Sequence, residues 1–203
     1  MFPMPTDEPL QLLLQVGLAI ALAATCGLRA FLPIFLAAVA HHVGLLQLNE
    51  GFSWIAHPAT MVIFGLAVVL EVAADKVPAL DHALDSFGLA LRPIAGALVA
   101  AAALGELDAG AATASGLVLG VSSAGVIQLL KAKFRLASTA TTGGLLNPVI
   151  SLAEDGLALG TAATVILVPA LTVFVVAVVA GLALLLYRII ARIFVPRARP
   201  AAA

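Results

Sequence analysis

The chain has 203 residues, 63% of them hydrophobic and only 10% charged, with ten Lys and Arg against eleven Asp and Glu for a net charge of −1. A soluble domain is about half apolar and about one quarter charged, so a mean hydropathy of +1.15 excludes an ordinary water-facing fold. The charge balance leaves no basic footprint for nucleic acid. One cysteine, Cys26, excludes an internal disulfide and reads as a small packing residue.

Residues 1–9 form a tail in which Asp7 and Glu8 stand where a secretory signal needs Lys or Arg, so the first apolar segment is expected to remain as a span. Apolar runs follow at roughly 10–27, 30–47, 54–74, 93–106, 109–130, 147–167 and 169–190, rich in Leu, Ala and Val and without the alternation of barrel strands. Helices close their backbone hydrogen bonds internally, which lipid requires. The expectation is an all-α, polytopic bundle of about six or seven spans, forming one membrane domain over 10–192 with a basic tail at 193–203.

Three boundaries are polar: Gln47–Gly51, the charged stretch Asp75–Arg92, and Lys131–Asn147. Two breaks lie inside runs too long for one crossing, at Gly27–Pro33 and near Gly160–Pro169. Breaks or re-entrant segments are expected at Gly27–Pro33 and Gly143–Pro148. With the acidic N-terminus outside and seven spans, Arg29, Lys76, Arg92, Lys131, Lys133, Arg135, Arg188, Arg192, Arg197 and Arg199 all fall at or near cytoplasmic ends. The positive-inside rule therefore predicts a cytoplasmic C-terminus. Trp54, Phe87, Phe134 and Tyr187 lie near span ends, as aromatic belts do. Gly116 and Gly120, and again Gly156 and Gly160, have the spacing that lets helices approach closely, within the chain or between copies of a homo-oligomer.

Four places carry charge into apolar surroundings. Arg29, between Gly27 and Pro33, is either a buried cation or an interfacial arginine snorkelling to headgroups. Glu71 and Asp75 share a helix face, Pro78 is expected to end that helix, and Asp81 to cap the next, with His82 and Asp85 as further candidate ligands for a divalent cation. Thr141, Thr142 and the glycines before Asn147 offer hydroxyls and unwound backbone, with Asn147 as N-cap and Pro148 at the first helical position. Ser151, Glu154 and Asp155 follow; both acids lie beyond the first turn and need a partner. Arg29 is the expected partner, with Arg92 or Arg135 as interfacial alternatives, and exchanging the charges of such a pair should restore expression lost in the single mutants. His41, His42 and His57, near Glu50, offer a weaker outer metal site or plain interfacial polarity.

The breaks at Thr25–Pro33 and Thr141–Pro148 share an order of Thr, Gly, apolar residues and Pro, and paired broken helices point to a transporter's central site. The segments 27–33, 71–85, 92–97 and 141–155, taken in order, resemble a bacterial multi-pass membrane family catalogued as a domain of unknown function, group four-one-two-six. The resemblance covers roughly Leu10 to Leu167 and implies an integral inner-membrane protein; it supplies no catalytic residues. Glu71–Lys76 also resembles the Glu-x-Gly-Asp-Lys signature of divalent-cation exchangers, with one residue extra and the glycine missing.

The sequence therefore points to a small transporter or channel for an ion or solute, cation- or proton-coupled, lined by Arg29, Glu71, Asp75, Thr141, Thr142, Asn147, Ser151, Glu154 and Asp155. It calls for no cofactor; the expected partners are the bilayer, the solute and, as an alternative use of Gly116 and Gly120, a second copy of the chain. The alternative is an assembly protein whose charge pairs only lock helices. A lipid-headgroup enzyme using Asp81, His82 and Asp85 lacks a nucleophile–base pair. A transporter predicts a cavity reaching Glu71 or Glu154 and a carboxylate without a basic partner; a scaffold predicts every charge saturated.

Overall fold

The computed structural model describes residues 8–75 and 78–194, leaving the side chains of 8, 78–86, 170, 186 and 189–194 undescribed. The basic tail from 195, and Lys76, lie outside the described residues. Within them the fold is all-helical and has no strand: α1 (Glu8–Cys26), α2 (Leu32–His42), a 3₁₀ segment (Glu50–Ala56), α3 (Pro58–Ala74), α4 (Pro78–Ala103), α5 (Ala109–Thr142), α6 (Asn147–Leu167), a 3₁₀ turn (Pro169–Leu171) and α7 (Thr172–Phe194).

Among the described residues, three helices are long and apolar enough to cross a bilayer: Pro9–Cys26, Ala109–Thr142 and Asn147–Leu167. The 3₁₀ segment and α3, bent by 64°, make a fourth if taken as one broken span. Leu32–His42, Phe87–Ala103 and Thr172–Leu185 are apolar but shorter. These seven segments are the seven apolar runs of the sequence.

The core is built from small residues. Ala19, Ala21, Ala23, Ala100 and Ala102 are buried in α1 and α4, while Val62, Ile63, Leu117, Val118, Phe174 and Leu184 are exposed on the outside. This inversion suits a lipid solvent, in which association comes from close van der Waals contact. The α4–α5 seam is the clearest case. A Cβ at Gly120 would lie 2.5 Å from Ala97 Cα, and one at Gly116 would lie 2.6 Å from Ala101 Cβ. Gly116 and Gly120 therefore set their bare face against α4 within the chain. Gly156 and Gly160 have nothing within 4 Å of an added Cβ.

Contacts fix which ends of the helices meet. At one end Asn49 donates to the carbonyls of Leu104 (2.9 Å) and Leu107 (2.6 Å), and the Glu106 amide donates to Gln15. At the other end the α1–α2 turn meets the last turn of α3, the second half of α5 and the start of α6.

Several local expectations are corrected. Pro78 opens α4 instead of merely ending α3, so Asp81 lies inside α4 and not at its cap position. Residues 131–142 continue α5 as helix, ending at Gly143 in the left-handed conformation (φ 63°) followed by Gly144 (φ 86°). Only that short turn remains of the expected unwound segment. Asn147 is the first residue of α6 and not its cap; the cap position belongs to Leu146, with no side-chain bond. Pro93 sits inside α4, so the stretch up to Arg92 is helix where a loop was expected.

Candidate functional site: a buried charge network

The α1–α2 break is the starting point. Gly27 turns the chain where a Cβ would lie 2.5 Å from the Ala124 carbonyl oxygen, so only glycine lets the turn touch α5. This delivers Arg29 into the bundle with no solvent exposure. Its Nη1 lies 2.5 Å from Asp75 Oδ2 and its Nε 2.5 Å from Asp155 Oδ1. Its Nη2 donates to Ser151 Oγ at 2.9 Å. One guanidinium thus joins the end of α3 to the start of α6.

Asp75 collects donors on one oxygen. Oδ2 receives Arg29, the Ser151 hydroxyl at 3.1 Å and Arg135 Nη2 at 3.4 Å. Its Oδ1 is buried without a hydrogen-bond partner among the described residues. Glu154 Oε2 accepts Lys131 Nζ at 2.9 Å and Arg135 Nη2 at 3.3 Å. Arg29 thus pairs with Asp155, as the sequence allowed, and Glu154 goes to α5.

The freed backbone of the break is also met by ions. Lys131 donates to the Leu28 carbonyl at 3.1 Å. Glu71 accepts the amides of Ala30 (2.9 Å) and Phe31 (3.3 Å), ahead of α2. A carboxylate at a helix N-terminus and an ammonium past a helix C-terminus both complement the peptide dipoles.

The sequence reading offered Arg135 and Arg92 as interfacial alternative partners for the acids of α6, and Arg135 does reach Glu154, though from a buried position; Lys131 and Gln128 it passed over. Their signal was periodicity: Gln128, Lys131, Arg135 and Ser138 recur at three- and four-residue steps and are all buried, whereas Lys133 between them is exposed. Arg92 Nη1 donates to Gln128 Oε1 at 2.5 Å. The contacts join three acids, Asp75, Glu154 and Asp155, to three bases, Arg29, Lys131 and Arg135, while the fourth acid, Glu71, meets backbone amides. The excess of carboxylates inferred from Arg29 alone is therefore largely cancelled.

Thr141, Thr142 and Asn147 are not brought into this network. Thr141 Oγ1 donates back to Ala137 O at 2.8 Å, Thr142 Oγ1 to Ser138 O at 2.7 Å, and Asn147 Nδ2 to Thr139 Oγ1 at 3.3 Å. Of the two similar breaks, the first alone supplies an ion. The side chains of Asp81, His82 and Asp85 lie outside the described residues. Among those described, no group of three or more His, Cys, Asp or Glu is arranged to hold a metal, the His41, His42 and His57 group included.

The network also sits towards one end of the helices: from Ala109 to Lys131 is about 33 Å along α5 at 1.5 Å per residue. Two pockets, of about 540 and 510 Å³, lie elsewhere, against His41, His57 and the α2–α3 face, and no network residue lines either.

No curated protein and no solved structure matches the chain. A family match described as "Domain of unknown function (DUF4126)" spans residues 16–189. With most of its length matched, and with the helical bundle and the ordered motifs that build the network inside that match, the chain belongs to the DUF4126 family.

Proposed function

We propose that the protein is a small transporter or channel for an ion or solute, in which the charge network is the polar constriction that closes the bundle at one end. The observation supporting this reading is the broken α1–α2 segment. Its freed amides, its carbonyl and its arginine are all met by ionised side chains from α3, α5 and α6. Discontinuous helices with polar backbone facing fixed charges are how transporters build a solute path. Saturated hydrocarbon packing would hold the same helices without the cost of desolvating seven ions. The setting is an inner membrane, with the network and the C-terminus on the cytoplasmic side, by the distribution of basic residues; a reporter fused after Ala203 that is active only outside the cell would reverse this.

The second reading, a lock that only fixes helix register, is favoured by two observations: Asp75, Glu154 and Asp155 each contact a base with Glu71 on two amides, and neither pocket reaches Glu71 or Glu154. Reconstitution separates the two. Purified protein in liposomes carrying a pH-sensitive dye, or an alkali- or divalent-cation indicator, should show flux above empty vesicles. Asp155→Asn, at the rim of the network, should change that flux while the protein stays folded. Wild type and variant both indistinguishable from empty vesicles for protons, alkali and divalent cations, with the variant only less stable, would leave the lock.

A further inference from the structure

At the end of α2 and α3 opposite the network, the two pockets share His42 and Pro58 and so form one continuous crevice. Its two halves differ in chemistry. The mouth carries His41, His42, Ser53, Trp54 and His57. The remainder is lined by Phe35, Met61, Val62, Gly65, Leu66 and Val69 and carries no ionisable group beyond the shared His42. Pro58 to Val69 is about 17 Å of helix, so the groove follows α3 from its N-terminus well into its apolar length.

The 64° bend between the 3₁₀ segment and α3 turns Glu50–Ala56 off the helix axis and places Ser53 and Trp54 at the mouth. Gly65 keeps the groove open against α2: a Cβ there would already lie 3.3 Å from the Phe35 ring. His57 Nδ1 accepts the Ala59 amide at 3.3 Å as the cap of α3. Its neutral ring then carries the proton on Nε2, which is left to donate. The indole of Trp54 is a second donor, and no carboxylate lines the mouth.

We propose that this crevice is a lipid site: one acyl chain of a membrane phospholipid lies along α3 beside Phe35 and Gly65, and its phosphate meets the donors of His42, Trp54 and His57. The chemistry matches end for end. An apolar groove opens on the surface that faces hydrocarbon, and its polar mouth lies where the helix ends, at headgroup level. Each half is of ligand size, about 510 and 540 Å³. The site does not depend on the transport reading, since the network residues line neither pocket.

The test uses full-length purified protein in detergent with phosphatidylglycerol carrying a photoactivatable group on one acyl chain. Labelling should concentrate between Met61 and Val69. Phosphatidylglycerol should compete about tenfold better than diacylglycerol, which has the same chains and no phosphate, the scale of hydrogen bonds to a charged group. His42→Ala combined with His57→Ala should remove that preference, and Gly65→Leu should abolish the label in α3 with the melting temperature unchanged. Label spread evenly over other outward residues, such as Val118 or Phe174, would mean annular lipid only and would overturn the site. So would groove labelling undiminished by a folded Gly65→Leu. If that variant does not fold, the wild-type labelling map decides alone.

Discussion

Asp75 and Asp155 both hold Arg29 at 2.5 Å, yet they should differ sharply in what they hold together. Asp75 has a side chain 1% exposed and also receives Arg135 and Ser151, whereas Asp155 is 21% exposed with Arg29 as its sole ion-pair partner among the described residues. Asp75→Asn keeps the shape but removes the charge between two buried guanidinium groups, and an uncompensated buried charge costs ~3–5 kcal/mol. Asp155→Asn leaves Arg29 with Asp75 and leaves a partly exposed position, where the loss is that of one partly screened ion pair, ~1 kcal/mol. The gap of about 2 kcal/mol or more corresponds to more than a tenfold difference in the folded-to-unfolded ratio. Reversible unfolding in mixed micelles, followed by circular dichroism, measures both. A cycle with Arg29→Gln should give a coupling of ~1–3 kcal/mol with Asp75→Asn. An Asp155→Asn loss equal to or larger than that of Asp75→Asn would refute the assigned hierarchy.

Glu71→Ala removes the carboxylate from the Ala30 and Phe31 amides and should destabilise by ~1–2 kcal/mol, with Glu71→Gln losing less; thermal unfolding in detergent reads both. Lys131→Ala should cost more than ~2 kcal/mol because it strips both Glu154 and the Leu28 carbonyl, whereas exposed Lys133→Ala should stay within about 0.5 kcal/mol in the same assay. Gly120→Leu drives a side chain into the backbone at Gly96 and Ala97 and should abolish the monodisperse peak on size exclusion. Gly156→Leu, with open space around it, should elute as wild type.

The helical, lipid-facing character was legible because it rests on composition and long apolar runs, which no tertiary contact has to create. The acids of the network were legible too: Glu71 and Asp75 lie one turn apart, and Ser151, Glu154 and Asp155 lie too deep in α6 for the helix end to account for them. Of their basic partners, Arg29 and Arg135 were named, whereas Lys131 was hidden by an assumption about loops. Read as a polar connection, Lys131–Asn147 carries no face; read as the last turns of α5, its Gln128, Lys131, Arg135 and Ser138 fall on one stripe. The Thr and Gly run misled for a related reason, since hydroxyls that bond back to the preceding turn let a helix continue where a loop is expected. Glu71 as cap of α2 could not be read at all, because it joins residues 40 apart through backbone amides that leave no mark in sequence.

These contacts also reverse the outcome expected of the charge exchange. With one partner in view, Arg29→Asp combined with Asp155→Arg should restore the pair. The structure gives Arg29 two acids at 2.5 Å, and the exchange corrects only one of them. The new carboxylate at position 29 would face Asp75, also buried, and like charges at such range in a low-dielectric interior repel strongly. Arg135 alone would be left to neutralise Asp75, from 3.4 Å. The double variant should therefore yield no more membrane-extracted, monodisperse protein than Arg29→Asp by itself. Adding Asp75→Asn to the exchange should recover part of the yield by removing the repulsion. Full recovery with the simple exchange would mean that Asp75 is not a working partner of Arg29, and the network would shrink to a single pair.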